Sequence, residues 1–211
     1  MKRIVSDTEI PIILDILETM HPEAACALEH RDPFQLVIAV ALSAQTTDFS
    51  VNKATPALFA KYPTPEALAA ADQDDVMEII HTIGLYRNKS RNIIRLAQML
   101  VSDFNGTVPA DFDSLVKLPG VGRKTANVVL AEGFGVPRIA VDTHVFRVAN
   151  RIGLTDEKSV DATEDELMRR LPEDMWIRAH HLLIFHGRKC CHARKPECEA
   201  CGLKEMCLHN N

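Results

Sequence analysis

Leu118-Pro119-Gly120-Val121-Gly122-Arg123-Lys124-Thr125-Ala126 separates two stretches of helical periodicity, 111–117 and 122–134. Proline ends the first helix, and two glycines without a Cβ let the chain double back within a few residues. In such a bend the amides of the turn and of the next helix start point outward together. The helix dipole adds positive potential, which makes an anion site. Backbone contacts of this kind read no base sequence. G-x-G alone describes many ordinary corners between helices, and the two cations that follow directly give this one its weight.

Outward from the bend the period is helical almost throughout. Ile10, Ile13, Leu14 and Leu17 form an i, i+3, i+4, i+7 stripe, preceded by Ser6 and Glu9 at capping-box spacing. Asp32-Pro33 and Thr64-Pro65 each read as N-cap and first helical residue. Ile93, Ile94, Ala97, Leu100 and Val101 stripe a helix from about residue 87, stopped by Asn105-Gly106. Further helices fit 48–60, 73–81, 143–152, 160–170 and 174–187. Ile139-Ala140-Val141 is the one strand candidate, too short to seed a sheet. No repeat or low-complexity segment interrupts the pattern, so the fold class is all-α.

The 211 residues carry 46% hydrophobic and 25% charged side chains with net charge −5, a globular composition that excludes intrinsic disorder. No apolar run approaches the roughly 20 residues of a membrane helix. Asp7, Glu9 and Asp15 break the N-terminal apolar stretch, against a signal peptide. A cytoplasmic protein without a membrane partner is expected. The charge is segregated: 155–174 holds eight acidic residues against three basic, and 119–151 holds five basic against two acidic. An acidic total therefore leaves a local basic face for nucleic acid, although such runs are commonly solvated helix faces.

Lys124 is the sharpest candidate. A lysine on a helix surface is ordinarily a solvated charge, and an ammonium is no nucleophile. A helix N-terminus and a neighbouring cation, here Arg123, both discourage its protonation. Asp142, after the apolar 139–141, supplies a carboxylate at the start of the helix from Thr143. A plain N-cap is its simpler role, and it can serve both if one oxygen stays free.

Five of six cysteines fall within 190–207. From Cys191 the spacing is C-x6-C-x2-C-x5-C, through Cys198, Cys201 and Cys207. In a chain of cytosolic character a metal site outranks disulfides. Zinc sites usually show two close ligand pairs, whereas one pair with flanking single cysteines suits an iron–sulfur cluster; the spacing leaves both open. Cys190 should point away from its neighbour's site, and Cys26 reads as a buried small hydrophobe.

ALSAQTTD, TIGLY, LPGVGRKTANVVL, IAVDTH and the four-cysteine C-terminus, in this order between Pro33 and Cys207, resemble the endonuclease III family, helix-hairpin-helix DNA glycosylases. The resemblance implies a [4Fe–4S] cluster on Cys191, Cys198, Cys201 and Cys207. It also implies two domains: a six-helix barrel at 25–136 carrying the hairpin, and a cluster domain of 1–24 with 137–211. The partner would be double-stranded DNA with damaged bases or abasic sites, bound by a monomer. Lys124 would attack the sugar as a free amine and, through a Schiff base, cut 3′ to the abasic site. Asp142, facing it across the interdomain cleft, would stabilise positive charge on the sugar, while His144 would be structural. Gln45 and Leu85 would fill the space of a flipped nucleotide. Gly120, Gly122, Arg123, Thr125, Arg194 and Lys195 would contact the backbone. The alternatives are a monofunctional mismatch glycosylase, which lacks a lysine at the position of Lys124, a non-catalytic iron–sulfur DNA-binding module, and a zinc-stabilised binding protein.

Overall fold

The computed structural model describes residues 4–210 and, among them, only helices, turns and loops. The all-α expectation holds. Residues 1–3 and 211, at the ends of the expected cluster domain, lie outside the described residues. Contacts divide the chain into two compact units, Ala27–Val136 and Met1–Cys26 with Pro137–Asn211.

The unit Ala27–Val136 is built round α2 (Pro33–Ser43), where Phe34 and every residue from Leu36 to Leu42 are buried. A helix apolar on all sides belongs in an interior. Against it pack α3 (Asp48–Lys61), α6 (Tyr86–Phe104) and α8 (Arg123–Phe134). α4 (Pro65–Ala69) and α5 (Gln73–Ile80) lie on α6, and α7 (Phe112–Leu115) lies on α8. Caps fix the ends. Asp32 accepts from the Gln35 amide at 2.8 Å, and Thr64 from that of Ala67 at 3.2 Å. Asn105 ends α6 in the left-handed region at φ 52°. Each side-chain cap contributes about 0.5–2 kcal/mol. α7 is a single turn, shorter than its sequence pattern, because the chain from Lys117 already tightens into i→i+3 bonds toward the hairpin.

In the other unit α1 (Ile10–Met20) buries Ile10, Ile13, Leu14 and Leu17. Their core partners come from α9 (Thr143–Ile152), α10 (Val160–Arg170) and α11 (Trp176–Lys189), notably Val145, Val148, Leu167, Leu182 and Leu183. α1 starts at Ile10 rather than after Ser6. Only the reciprocal half of the capping box forms, the Glu9 carboxylate accepting from the Ser6 amide at 2.7 Å. Ile139-Ala140-Val141 is buried and runs as irregular chain rather than as a strand. Cys26 is half-buried rather than buried. Arg170, counted with the solvated charges of 155–174, turns inward and donates to Val5 O and Leu154 O, both at 2.6 Å. No described helix is long and apolar enough to cross a membrane.

Candidate nucleic-acid interface and cluster loop

The hairpin forms where the sequence places it. Val121 N–H donates to Leu118 O at 3.0 Å, closing the turn, and Gly120 sits at φ 82°, where a Cβ would also lie 3.4 Å from Asn92 Cβ. Gly122 differs from expectation. Its backbone is extended, at φ −98°, and a Cβ there would meet nothing within 4 Å. Tight turning thus requires Gly120 alone, and the bare Gly122 leaves open space above the start of α8. No side chain caps α8, and its first backbone bond runs from Ala126 N–H to Gly122 O at 2.9 Å. The amides before Ala126 are left facing outward, which is the anion-site geometry of a helix start.

Lys124 is the second residue of α8 and is exposed. Arg123, also exposed, swings its guanidinium over the Phe112 ring, 6.0 Å from the centroid. Thr125 is half-buried in the same turn. In the other unit Asp142 caps α9: its Oδ1 accepts from the His144 and Val145 amides, each at 2.8 Å. Both bonds use one oxygen, so Oδ2 accepts none among the described residues. His144 receives a bond from Arg147 Nη2 at 3.2 Å, a structural contact.

Gln45 and Leu85 share an unusual backbone. Both lie in the left-handed region, at φ 54° and 60°, and both are exposed, Leu85 by 60%. Gln45 sits in the turn after α2 and Leu85 is the N-cap of α6. Non-glycine residues in this region carry strain and cluster at functional sites.

The C-terminal loop brings the cysteines together. Cys191, Cys198, Cys201 and Cys207 line one cavity, with Cys190 and His186, and no cysteine is in a disulfide. The expectation that Cys190 turns away is not met: donor atoms of His186, Cys190 and Cys201 lie within 4.8 Å of one another. Burial above all, with neighbouring thiols, pushes the Cys190 thiol up to about 12, and it faces Glu197 O at 3.8 Å. Arg194 and Lys195 are exposed, as the loop reading requires.

Two arginines of the basic segment 119–151 do not face solvent for nucleic acid. Arg147 donates to Cys191 O at 3.1 Å and Gly187 O at 2.9 Å. Arg151 donates to His192 O at 2.7 Å and Ala193 O at 3.1 Å, and reaches Cys191 Sγ at 3.5 Å. They stand one turn apart on α9 and clamp the loop. The sequence reading missed this role, and the i, i+4 arginine spacing was its only trace. A donor set of four clustered thiols with a guanidinium at one sulfur fits a thiolate-held cluster, whose negative charge it offsets.

Residues 38–173 match the HhH-GPD superfamily of base excision DNA repair proteins, and 191–207 match the iron–sulfur binding domain of endonuclease III. Endonuclease III of Bacillus subtilis is 52% identical over 200 residues, 94% of this chain and 91% of that protein. Endonuclease III of Escherichia coli is 47% identical over 195 residues, 92% of each. A solved structure of a trapped endonuclease III–DNA covalent intermediate, an estranged-adenine complex, superposes with TM-score 0.93 at 49% identity, covering 98% of both chains. The cofactor is a [4Fe–4S] cluster. With the hairpin, the two left-handed turns and the cysteine loop in place, the chain belongs to the endonuclease III family of HhH-GPD base excision repair proteins.

Proposed function

We propose that Lys124 and Asp142 act on a single deoxyribose. The chain is a DNA glycosylase and AP lyase, with oxidised pyrimidines as the substrates of this reading, and the site residues divide that work as follows. A damaged nucleotide leaves the stack, since its sugar carbon is inaccessible within it. Gln45 and Leu85 enter the vacated space, the amide pairing with the orphaned base and the exposed leucine wedging the step. Gly120, Gly122, Arg123 and Thr125 hold phosphate through the open helix start, and Arg194 and Lys195 hold it from the cysteine loop.

Lys124 Nζ, as the free amine, forms a bond to C1′ while the bond from C1′ to the base breaks. The base leaves with the electron pair and takes up a proton. Asp142 stabilises the positive charge developing on the sugar through its uncommitted oxygen and assists proton transfer. Ring opening gives a Schiff base to Lys124. Loss of a C2′ proton then expels the 3′ phosphate by β-elimination, and water releases the amine. Cys191, Cys198, Cys201 and Cys207 would hold the cluster, which fixes the loop and leaves the sugar chemistry to amine and carboxylate. Acting on genomic DNA places the protein in the cytoplasm.

The observation that carries this reading is an exposed lysine in the first turn of a helix that no side chain caps, two residues after an open glycine. Its support is the likeness to a protein solved as a covalent DNA intermediate. Borohydride should trap the wild-type chain on duplex DNA with an abasic site, and Lys124→Ala should abolish trapping. Undiminished trapping in Lys124→Ala would remove this amine from the chemistry.

A further inference from the structure

Lys89 occupies the first turn of α6 and is only 7% exposed. Its ammonium donates to Leu42 O at 2.9 Å and Thr46 Oγ1 at 2.7 Å, and among the described residues no carboxylate pairs with it. Burying an ammonium without a counter-charge is costly, and desolvation lowers the pKa of this one. An apolar side chain of similar length would avoid that cost. The compensation lies in what the residue joins. Leu42 ends the buried face of α2 and Thr46 follows Gln45, so the ammonium fastens the Gln45 turn from beneath. The backbone amide of Lys89 meanwhile donates to Leu85 O at 3.0 Å, closing the turn that presents Leu85. The two turns also abut, since a Cβ on Gly84 would lie 3.7 Å from Thr46 Oγ1 and 3.8 Å from Gln45 O.

One residue therefore grips both left-handed turns, each of which is strained and persists only when its surroundings over-determine it. We propose that Lys89 is a positioning residue for base extrusion, holding Gln45 and Leu85 at fixed separation so that both enter the duplex together. It acts through them and touches neither DNA nor the reacting sugar. The inference rests on the reading of Gln45 and Leu85 as the pair that fills the vacated space.

The test uses the full chain with its cluster, and a duplex carrying 2-aminopurine opposite an uncleavable abasic analogue, whose fluorescence rises when the orphaned base unstacks. Wild type should raise the signal at saturation. Lys89→Met and Thr46→Val should lose most of that rise. They should also slow single-turnover excision of an oxidised pyrimidine by roughly ten- to a hundredfold, the scale of a small misplacement, with affinity for undamaged duplex within about twofold of wild type. Thr46→Ser, which keeps the hydroxyl, should restore both readouts. A role in stability alone would lower melting temperatures and leave the fluorescence at saturation unchanged. Folded Lys89→Met with wild-type signal and rate overturns the proposal. If Lys89→Met does not fold, Thr46→Val behaving as wild type overturns it. Leu85→Ala is the separate control: if it keeps the full signal, the reading of Gln45 and Leu85 has failed instead.

Discussion

Asp142 caps α9, and the proposed function adds a second duty to the same carboxylate; a single substitution separates the two. Oδ1 caps α9 through two amides, a task an asparagine oxygen performs equally well. Asp142→Asn should therefore melt within about 0.5 kcal/mol of wild type while single-turnover excision falls a hundredfold or more, the scale of removing one transition-state stabiliser. Wild-type rates would reduce Asp142 to a cap. Lys89 permits a pH argument of definite sign. Burial lowers its pKa below 10.5, so between the lowered value and 10.5 the unfolded chain binds more protons than the native one. Stability contributed at this site must rise with pH through that window. The difference in unfolding free energy between wild type and Lys89→Met should shift in favour of wild type as pH is raised from neutral toward 10.5, and a flat difference would contradict it. The places of Lys124 at a helix start and of Asp142 as a helix cap were legible in the sequence because each stands in a motif. Lys89 was not, because a lone lysine on a helix is assigned to solvent by default. The trace was present, since Lys89, Ile93, Ala97 and Leu100 follow one apolar stripe in which the lysine replaces a hydrophobe.

At the level of elements, caps and stripes carried the prediction. Asp32, Thr64 and Asn105 end or start helices where their chemistry dictates. The sequence failed where no cap decides: α7 stops early, and the Ser6–Glu9 box closes only on one side. The two glycines of the hairpin differ in what they tolerate. Gly120→Ala forces a Cβ into a positive-φ turn against Asn92 and should cost about 1–2 kcal/mol of stability. Gly122→Ser meets open space and supplies a better N-cap, so its stability should equal or exceed that of wild type. Its affinity for duplex DNA should nonetheless fall severalfold, because the new side chain stands where phosphate approaches the amides. Denaturant melts with binding isotherms for the two variants check both halves. Unchanged affinity in Gly122→Ser would remove this turn from the interface.

For the molecule as a whole, net charge was a poor guide. Its formal value is −5, yet the charges that matter are sorted by direction. Arg147 and Arg151 face the cysteine loop and Arg170 faces the N-terminal segment, so these three are committed to internal carbonyls. Removing Arg194 and Lys195 together should reduce the slope of log K against log salt by about two, with lesion discrimination unchanged; an unaltered slope would mean that the loop does not touch DNA. The cysteine spacing revealed the loop itself, but neither its arginine clamp nor the inward position of Cys190, because these depend on the register of α9 and on the buried turn after α11. What the amine and carboxylate accomplish depends on one bond. The measurement that reaches it most directly is peptide mapping of the borohydride-reduced adduct formed on abasic duplex DNA. A deoxyribose remnant should be found on Lys124 and nowhere else in the wild-type chain. An adduct on another lysine, or on the N-terminal amine, would contradict the assignment.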